Sequence, residues 1–398
     1  MPRRFPSLSL VLALALPFVL ALGIWLGGHP RWLLSPIADV LVGHEDRRVT
    51  LEALDTIHDK YYRKVPQGQL SDSAIAGAVS KLDDRFSAYL SARDFHKFQN
   101  SLDNAFEGIG TVIAGVPQGL RIETVYPGSP ARRAGIRPGD IITEADGHRL
   151  AGLSEKAGSA FIKGRAGTTV RLRLLRGTGV LTKRVTRAKI TVPVVLSKIA
   201  NAGGKRAAYV RLSTFGPQTA HVEVADAIRR LKRRKALGIV LDLRANGGGL
   251  VSEAQLIASM FLKNGTIVTT RGRAVTTQTL KAVGEPIAGD LPTVVLVDRG
   301  TASASEIVAG ALQDRRRATL VGTRTFGKGV FQEVMPLDNG GALDLTVGQY
   351  FLPSGRNLGG AGTKPGDGIK PDVEVSDDPA TPRDEALDKA LDVLAGKL

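Results

Sequence analysis

Two serines alternate with alanines in GTASASEIVAG (Gly300–Gly310), after the apolar run TVVLVD (Thr293–Asp298) and at the start of a helical pattern. A serine at a strand-to-helix turn is exposed to a reactant, and the amino end of the helix favours developing negative charge. Ser303 or Ser305 therefore suits attack on a carbonyl. The same residues suit plain capping, with Ser303 as N-cap and Glu306 as the acid three residues on. A serine nucleophile needs a proton acceptor. All six histidines, at 29, 44, 58, 96, 148 and 221, precede Ser303, and His221 opens a basic amphipathic helix where a solvated surface role is expected. The base is sought instead in RTFGKGVFQ (Arg324–Gln332). There Phe326, Val330 and Phe331 supply an apolar wall for Lys328, and desolvation is what lowers a lysine pKa far enough for it to accept a proton. The bland reading is an exposed turn lysine. Gly322–Lys328 also fits the phosphate-loop spacing, but residue 329 is Gly where Ser or Thr would bind magnesium, and VFQEVMPL alternates like a strand where that motif needs a helix. The third stretch is VLDLRANGGGL (Val240–Leu250), a buried strand running into three glycines. Its bare amides suit an oxyanion hole, a tight turn or a phosphate cradle.

The elements that must position these groups fall into blocks. Residues 45–98 read as a helical cap module, with TLEALDTIHDKYY and SDSAIAGAVSKLDDRF apolar every three or four residues and Ser71 or Asp72 capping the second helix. Residues 104–177 change to short alternating strands broken by glycine, EGIGTVIAG, GLRIETVY, DIITEADG and TTVRLRLLRG. Residues 188–375 alternate apolar strands with helical stretches, which implies a layered α/β core. SDDPATP leads into a last helix within 376–398. The fold class is thus α/β and multidomain.

The β-rich block resembles a PDZ domain: the turn GIG (Gly108, Ile109, Gly110) matches its carboxylate-binding loop, and AGIRPGDIITEADG (Ala134–Gly147) its most recognisable stretch. Such a domain adds a polypeptide tail to a sheet edge, so the implied ligand is a polypeptide C-terminus. Together with DLRANGGGL, GTASASEIVAGALQD, TFGKGVFQ, GIKPDVEV and AIAGAVSKLDDRFSAYLS, this arrangement resembles the carboxyl-terminal processing, or tail-specific, proteases. That resemblance implies a protease core of the Clp/crotonase-like type and a serine endopeptidase that uses no metal and no organic cofactor. It implies Ser303 as nucleophile and Lys328, 25 positions later, as base. It further implies Gln332 orienting the lysine, the amides of Gly249 and Ala304 as oxyanion hole, and structural roles for Ser305 and Glu306. Gly247 stands where proline is common in that family, and Asp298 where asparagine is common, so loop stiffness and nucleophile activation are the points these departures touch. The alternative is a PDZ peptide-binding scaffold whose protease core is inactive or occluded.

Charge and termini place the molecule. With 54 Lys+Arg against 38 Asp+Glu the net charge is +16, much of it in RRLKRRK (Arg229–Lys235) and RRR (Arg315–Arg317). No stacking aromatics or finger motifs interleave these runs, so nucleic acid is not an expected partner and an anionic bilayer surface is. The first run lies on a helix whose apolar stripe is read as Val222, Ala225, Ile228 and Leu231. Arg3 and Arg4 precede an uncharged run, Phe5–Pro30, long enough to span a bilayer. Residues 1–30 are therefore read as a membrane anchor, or as a signal cleaved near Ala21–Gly23. The catalytic body is expected in the periplasm, held at the inner membrane or secreted there. The absence of cysteine excludes disulfides and thiolate metal sites. A homo-oligomer or a regulatory partner protein completes the expectation.

Overall fold

Apolar residues three and four apart in EDRRVTLEALDTIHDK produce helix α1 (Glu45–Lys60), and a short turn leads to α2 (Gln67–Ser80). The computed structural model describes residues 45–102, 104–359, 366–378 and 380–398. The anchor or signal read in residues 1–30, His29 and His44 lie outside them. Helix α2 begins after Pro66 rather than at Ser71 or Asp72, and the Ser71 hydroxyl instead donates to the Gln67 carbonyl within the helix at 3.2 Å. Gln67 and Gly68 carry no apolar signal, so periodicity concealed this first turn. His58 Nδ1 meets the Val65 carbonyl at 2.9 Å across the connection. Val49, Leu51, Ile57, Tyr61 and Tyr62 remain exposed. This first compact unit ends at Lys81.

The second unit starts at Leu82. Strand β1 (Ala88–Leu90) is a short interruption between helical stretches, formed because Ala88–Leu90 pair antiparallel with the late strand Ala342–Phe351; helix α3 (Ala92–Leu102) follows. Next come β2 (Ala105–Gly108), β3 (Thr111–Val116), β4 (Gly119–Val125), α4 (Pro130–Arg133), β5 (Ile141–Ala145), β6 (His148–Arg149), α5 (Glu155–Ile162), β7 (Thr169–Arg176), β8 (Gly179–Thr186) and β9 (Ala188–Thr191). β2 pairs with β9, while β3-β4-β5-β7-β8 form one sheet with β6 on β5, leaving β3 as an edge strand. Alternation in TVRLRLLR buries Val170, Leu172 and Leu174 beside Leu120, Ile122 and Ile142.

The remaining chain is β10 (Val195–Ala202), β11 (Lys205–Leu212), α6 (Ala220–Arg233), β12 (Gly238–Asp242), α7 (Val251–Ser259), β13 (Thr266–Arg271), β14 (Gln278–Lys281), β15 (Thr293–Val297), α8 (Ala304–Asp314), β16 (Thr319–Gly322), β17 (Val330–Pro336), β18 (Ala342–Phe351), β19 (Val373–Glu374) and α9 (Glu385–Ala395). The main sheet has the order β10-β11-β12-β15-β16-β19, parallel from β11 onward. Both faces are covered, so β12 and β15 are buried throughout. Ile239, Leu241, Val295 and Val297 point to the cluster holding α6, α7 and α8, whereas Val240, Val294 and Leu296 point to Ala386, Ala390 and Leu394 of α9. A second sheet joins β1, β18, β13 and β14, with β17 on β18.

Two details depart from the sequence reading, and a third concerns the basic run Arg315–Arg317. On α6 the buried stripe is Ala220, Val224, Ala227, Ile228 and Leu231 with Ala225, while Val222 is exposed, because residue 222 falls on the outer side of the 3.6-residue turn. His221 is only partly solvated: its Nδ1 lies 2.9 Å from both carboxylate oxygens of Glu253, which is buried in the first turn of α7. Arg317 is half-buried, capping the carbonyls of Phe261, Gly289 and Leu291, and this burial lowers its pKa.

Candidate functional site

Parallel strands expose their loops at one edge, and the loops after β12 and β15 lie side by side there. Thr301 Oγ1 donates to the Leu243 carbonyl at 2.9 Å, Ala302 N–H to Asn246 O at 3.0 Å, and Ser305 Oγ to the same Asn246 oxygen at 2.9 Å. Ser305 is thus fully buried and committed to holding the loops together. Asp298 Oδ1 accepts the N–H groups of Ala245 and Gly300, both at 2.9 Å, so the carboxylate at this position clamps the turn.

Ser303 stands at the tip, with φ 57° in the left-handed region that a side chain rarely adopts. Such strain is typical of a residue presented at a strand-to-helix turn, and Ser303 is also the N-cap of α8, in a capping box with Glu306. The Ser303 N–H donates to Glu306 Oε2 at 2.9 Å, and that carboxylate, itself fully buried, reaches further. Its Oε2 also accepts Lys328 N–H at 3.0 Å, and its Oε1 accepts Gly327 N–H at 2.8 Å and the Thr325 hydroxyl at 2.6 Å. One carboxylate oxygen therefore joins the backbones of residues 303 and 328. Phe326 N–H to Thr301 O at 3.0 Å adds a second tie. Burial pushes the Glu306 carboxyl upward, against the four hydrogen bonds that favour its charge. The sequence reading assigned Glu306 only a capping role. Its distance in sequence from Gly327 and Lys328 hid the larger one.

Lys328 is half-buried. Its Nζ donates to Gln332 Oε1 at 2.6 Å and lies 4.8 Å from the centroid of the Phe86 ring. Burial lowers its pKa from the ordinary lysine value, while Asp344, Asp84 and Glu306 pull it back up. Gln332 Nε2 donates to Thr346 Oγ1 at 3.0 Å. Lys328 itself precedes β17, and the register shift at Phe331 and Gln332 leaves Val347 of β18 as the extra residue, which sets Thr346 opposite Gln332. The Lys328 carbonyl accepts the Tyr350 hydroxyl, and Asn357 Nδ2 donates to Gly329 O at 2.8 Å, which fixes the backbone around the lysine. Phe86, Thr346, Asp344 and Tyr350 were not singled out from the sequence. They lie on β18 or beside β1, and only sheet pairing brings them here.

The glycine loop abuts Ser303. A Cβ on Gly248 would lie 2.7 Å from Ala302 O and 2.9 Å from both Ala304 N and Ser303 Cβ; one on Gly249 would lie 2.3 Å from the Phe215 carbonyl carbon. Both glycines have positive φ, 99° and 145°. Among the described residues neither Gly249 N–H nor Ala304 N–H donates to a protein acceptor, while Gly248 N–H is held by Asn246 Oδ1 at 3.0 Å. At Gly247 a Cβ would meet nothing within 4 Å, so a side chain has room to start there.

Gly108, Ile109 and Gly110 border a separate groove of about 300 Å³ between edge strand β3 and helix α5, lined also by Phe106, Val112, Ser159 and Ile162. Gly110 has φ 84°, and a Cβ there would lie 2.3 Å from Ser129 Cβ. Ile109 is buried, and its carbonyl accepts Ala131 N–H at 2.9 Å, which anchors the turn to α4. Among the described residues no group of three or more His, Asp and Glu could hold a metal ion, and no helix is long and apolar enough to cross a membrane.

Residues 206–375 match peptidase family S41, residues 121–176 a PDZ domain, and residues 44–93 the activating protease CtpB N-terminal domain. The chain is 35% identical over 399 residues to a carboxyl-terminal-processing protease of Synechocystis sp., covering 96% of this chain and 93% of that one. It is 34% identical over 316 residues to the carboxy-terminal processing protease CtpA of Bacillus subtilis, covering 79% and 67% respectively. Among solved structures, a photosystem II D1 C-terminal processing protease superposes with a TM-score of 0.50 at 30% identity, over 88% of this chain and 97% of that chain.

Proposed function

Because the chain belongs to the carboxyl-terminal-processing proteases of peptidase family S41 and is a serine-type peptidase, we propose that Ser303 is its nucleophile and Lys328 its general base. The observation that carries this assignment is the Glu306 carboxylate oxygen shared by the two residues' N–H groups. In the first step the Ser303 oxygen attacks a peptide carbonyl carbon and its proton passes to neutral Lys328 Nζ. The amides of Gly249 and Ala304 take the oxyanion, each such donor being worth about 3 kcal/mol of transition-state stabilisation. Lys328 then returns its proton to the leaving amine, an acyl-enzyme remains, and water releases it. Gln332 holds one lysine N–H so that the nitrogen lone pair is left for the serine. Burial supports this role by lowering the lysine pKa.

The substrate is a polypeptide delivered by its C-terminal tail. The carboxylate sits at the Gly108–Gly110 turn and the preceding residues add to β3, whose outer edge carries no partner strand among the described residues. An inactive scaffold would need only this groove, and the buried Glu306 bridge would have no purpose in it. The test is cleavage of an unfolded protein by the wild type, Ser303→Ala and Lys328→Ala. Undiminished cleavage by either variant refutes the dyad.

The reading extends to location and partners. Residues 1–30 anchor the protein in the inner membrane, or direct its secretion, with the catalytic body in the periplasm, and the charge of +16 supports attraction to an anionic bilayer. The exposed Val49, Leu51, Ile57, Tyr61 and Tyr62 support a second copy or a regulatory protein as partner. Fractionation of cells expressing the full chain tests the first statement, and light scattering of the purified protein the second.

A further inference from the structure

The base described above is enclosed by a segment that the mechanism does not use. Residues Asp84–Ser87 form a turn immediately before β1. Asp84 Oδ1 accepts Phe86 N–H at 2.9 Å, and Asp84 Oδ2 accepts the Ser87 hydroxyl at 2.5 Å. Because a carboxylate only accepts, Ser87 must donate to it, which turns a Ser87 lone pair toward Thr346 N–H, 2.9 Å away. Thr346 in turn accepts from the Gln332 amide nitrogen, which leaves the Gln332 oxygen facing Lys328. Ser87 thus holds the backbone of Thr346, and the Thr346 hydroxyl meets the Gln332 amide beside the lysine. The same turn places the half-buried Phe86 ring over the lysine nitrogen at 4.8 Å.

We infer that the Asp84–Ser87 turn is a positioning element for Lys328: through Ser87 it fixes the backbone of Thr346, whose hydroxyl receives the Gln332 amide, and through the face of Phe86 it favours the ammonium form. The inference rests on Lys328 being the general base. An aromatic face attracts a cation and not a neutral amine, so Phe86 opposes deprotonation. The charged groups around the amine act with or against it. Asp84 comes from the turn, Asp344 from β18 and Glu306 from α8, and all three favour the cation. Arg85 lies 5.4 Å from the Phe86 centroid and competes for that ring. The enzyme thus holds its base more protonated than burial alone would leave it, and the turn sets how much.

The test is the pH profile of kcat/KM on an unfolded protein, together with the pH dependence of Lys328 acetylation by acetic anhydride, read by peptide mass spectrometry. Phe86→Leu keeps an apolar cover and removes the ring face. The rising limb and the labelling midpoint should both move to lower pH by about half a unit to one unit, while Phe86→Tyr should leave both in place. Unmoved limbs in Phe86→Leu, with or without a fall in kcat, overturn the inference. Ser87→Ala tests the other arm without altering the ring: kcat should fall about tenfold at unchanged KM as the Thr346 backbone, whose hydroxyl receives Gln332, loses its anchor. A kcat within twofold of wild type overturns that arm. Lys328→Ala is measured alongside. If it retains full activity, the base assignment itself has failed, whereas a dead Lys328→Ala with an unshifted Phe86→Leu defeats only the role given to the turn.

Discussion

Two glycine turns in this molecule present backbone amides, and they differ in what surrounds them. Gly108–Gly110 opens onto a groove beside an edge strand, where one flanking glycine has room: a Cβ on Gly108 would meet only the Phe106 ring at 3.5 Å and the Lys163 stem at 4.0 Å. Gly248–Gly249 is jammed between Phe215 and the start of α8, with no room for a methyl group at either position. A turn that receives a stable carboxylate needs access. A turn that stabilises a transient oxyanion needs donors set in advance, beside the atom that attacks. The contrast is one of packing, since both turns are glycine-rich in sequence.

The contrast can be broken most severely at the enclosed site. Ser303→Ala and Lys328→Ala should each lower kcat by about 10³-fold or more, and the double variant should be no worse than either, because the two act as a unit. Tail-peptide binding, followed by fluorescence anisotropy, should be unchanged in all three. Gly249→Ala should cost about 10²- to 10³-fold in kcat, again with peptide binding intact, since its methyl group would collide with the Phe215 backbone. If binding falls with kcat, the two turns are not separate in function.

A third measurement uses pH. Burial lowers the Lys328 pKa, so the neutral amine is present at lower pH than for a free lysine, whose pKa is about 10.4. The kcat/KM should rise with pH through and above neutrality along a limb whose midpoint lies below that value. A flat profile would remove the lysine from the chemistry. The open turn should give the smallest effects. Gly110→Ala should weaken tail binding about tenfold and raise KM with kcat nearly unchanged, whereas Gly108→Ala should stay within about twofold. Amidation of the peptide's terminal carboxylate should resemble Gly110→Ala.

Much of this was legible in the residues. The stretches Val294–Val297 and Ile239–Leu241 are apolar at every position because both faces of a parallel sheet are covered, and the serine, lysine and glycine motifs follow the ends of such strands. His221 misled because its partner Glu253 lies 32 residues away on another helix. Val222 misled because a stripe drawn from one residue too far round the helix still scores well.

Local chemistry thus determined the element types, the amphipathic faces and the short list of groups able to react, because these depend on neighbours within a few residues. Tertiary structure alone decided that the Glu306 oxygen held by Ser303 N–H would also take Lys328 N–H, that the β17–β18 register would set Thr346 against Gln332, and that Phe86 would cover the amine. Those contacts form between segments paired through distant strands, and hydrogen-bond partners of that range leave no periodic trace in the chain.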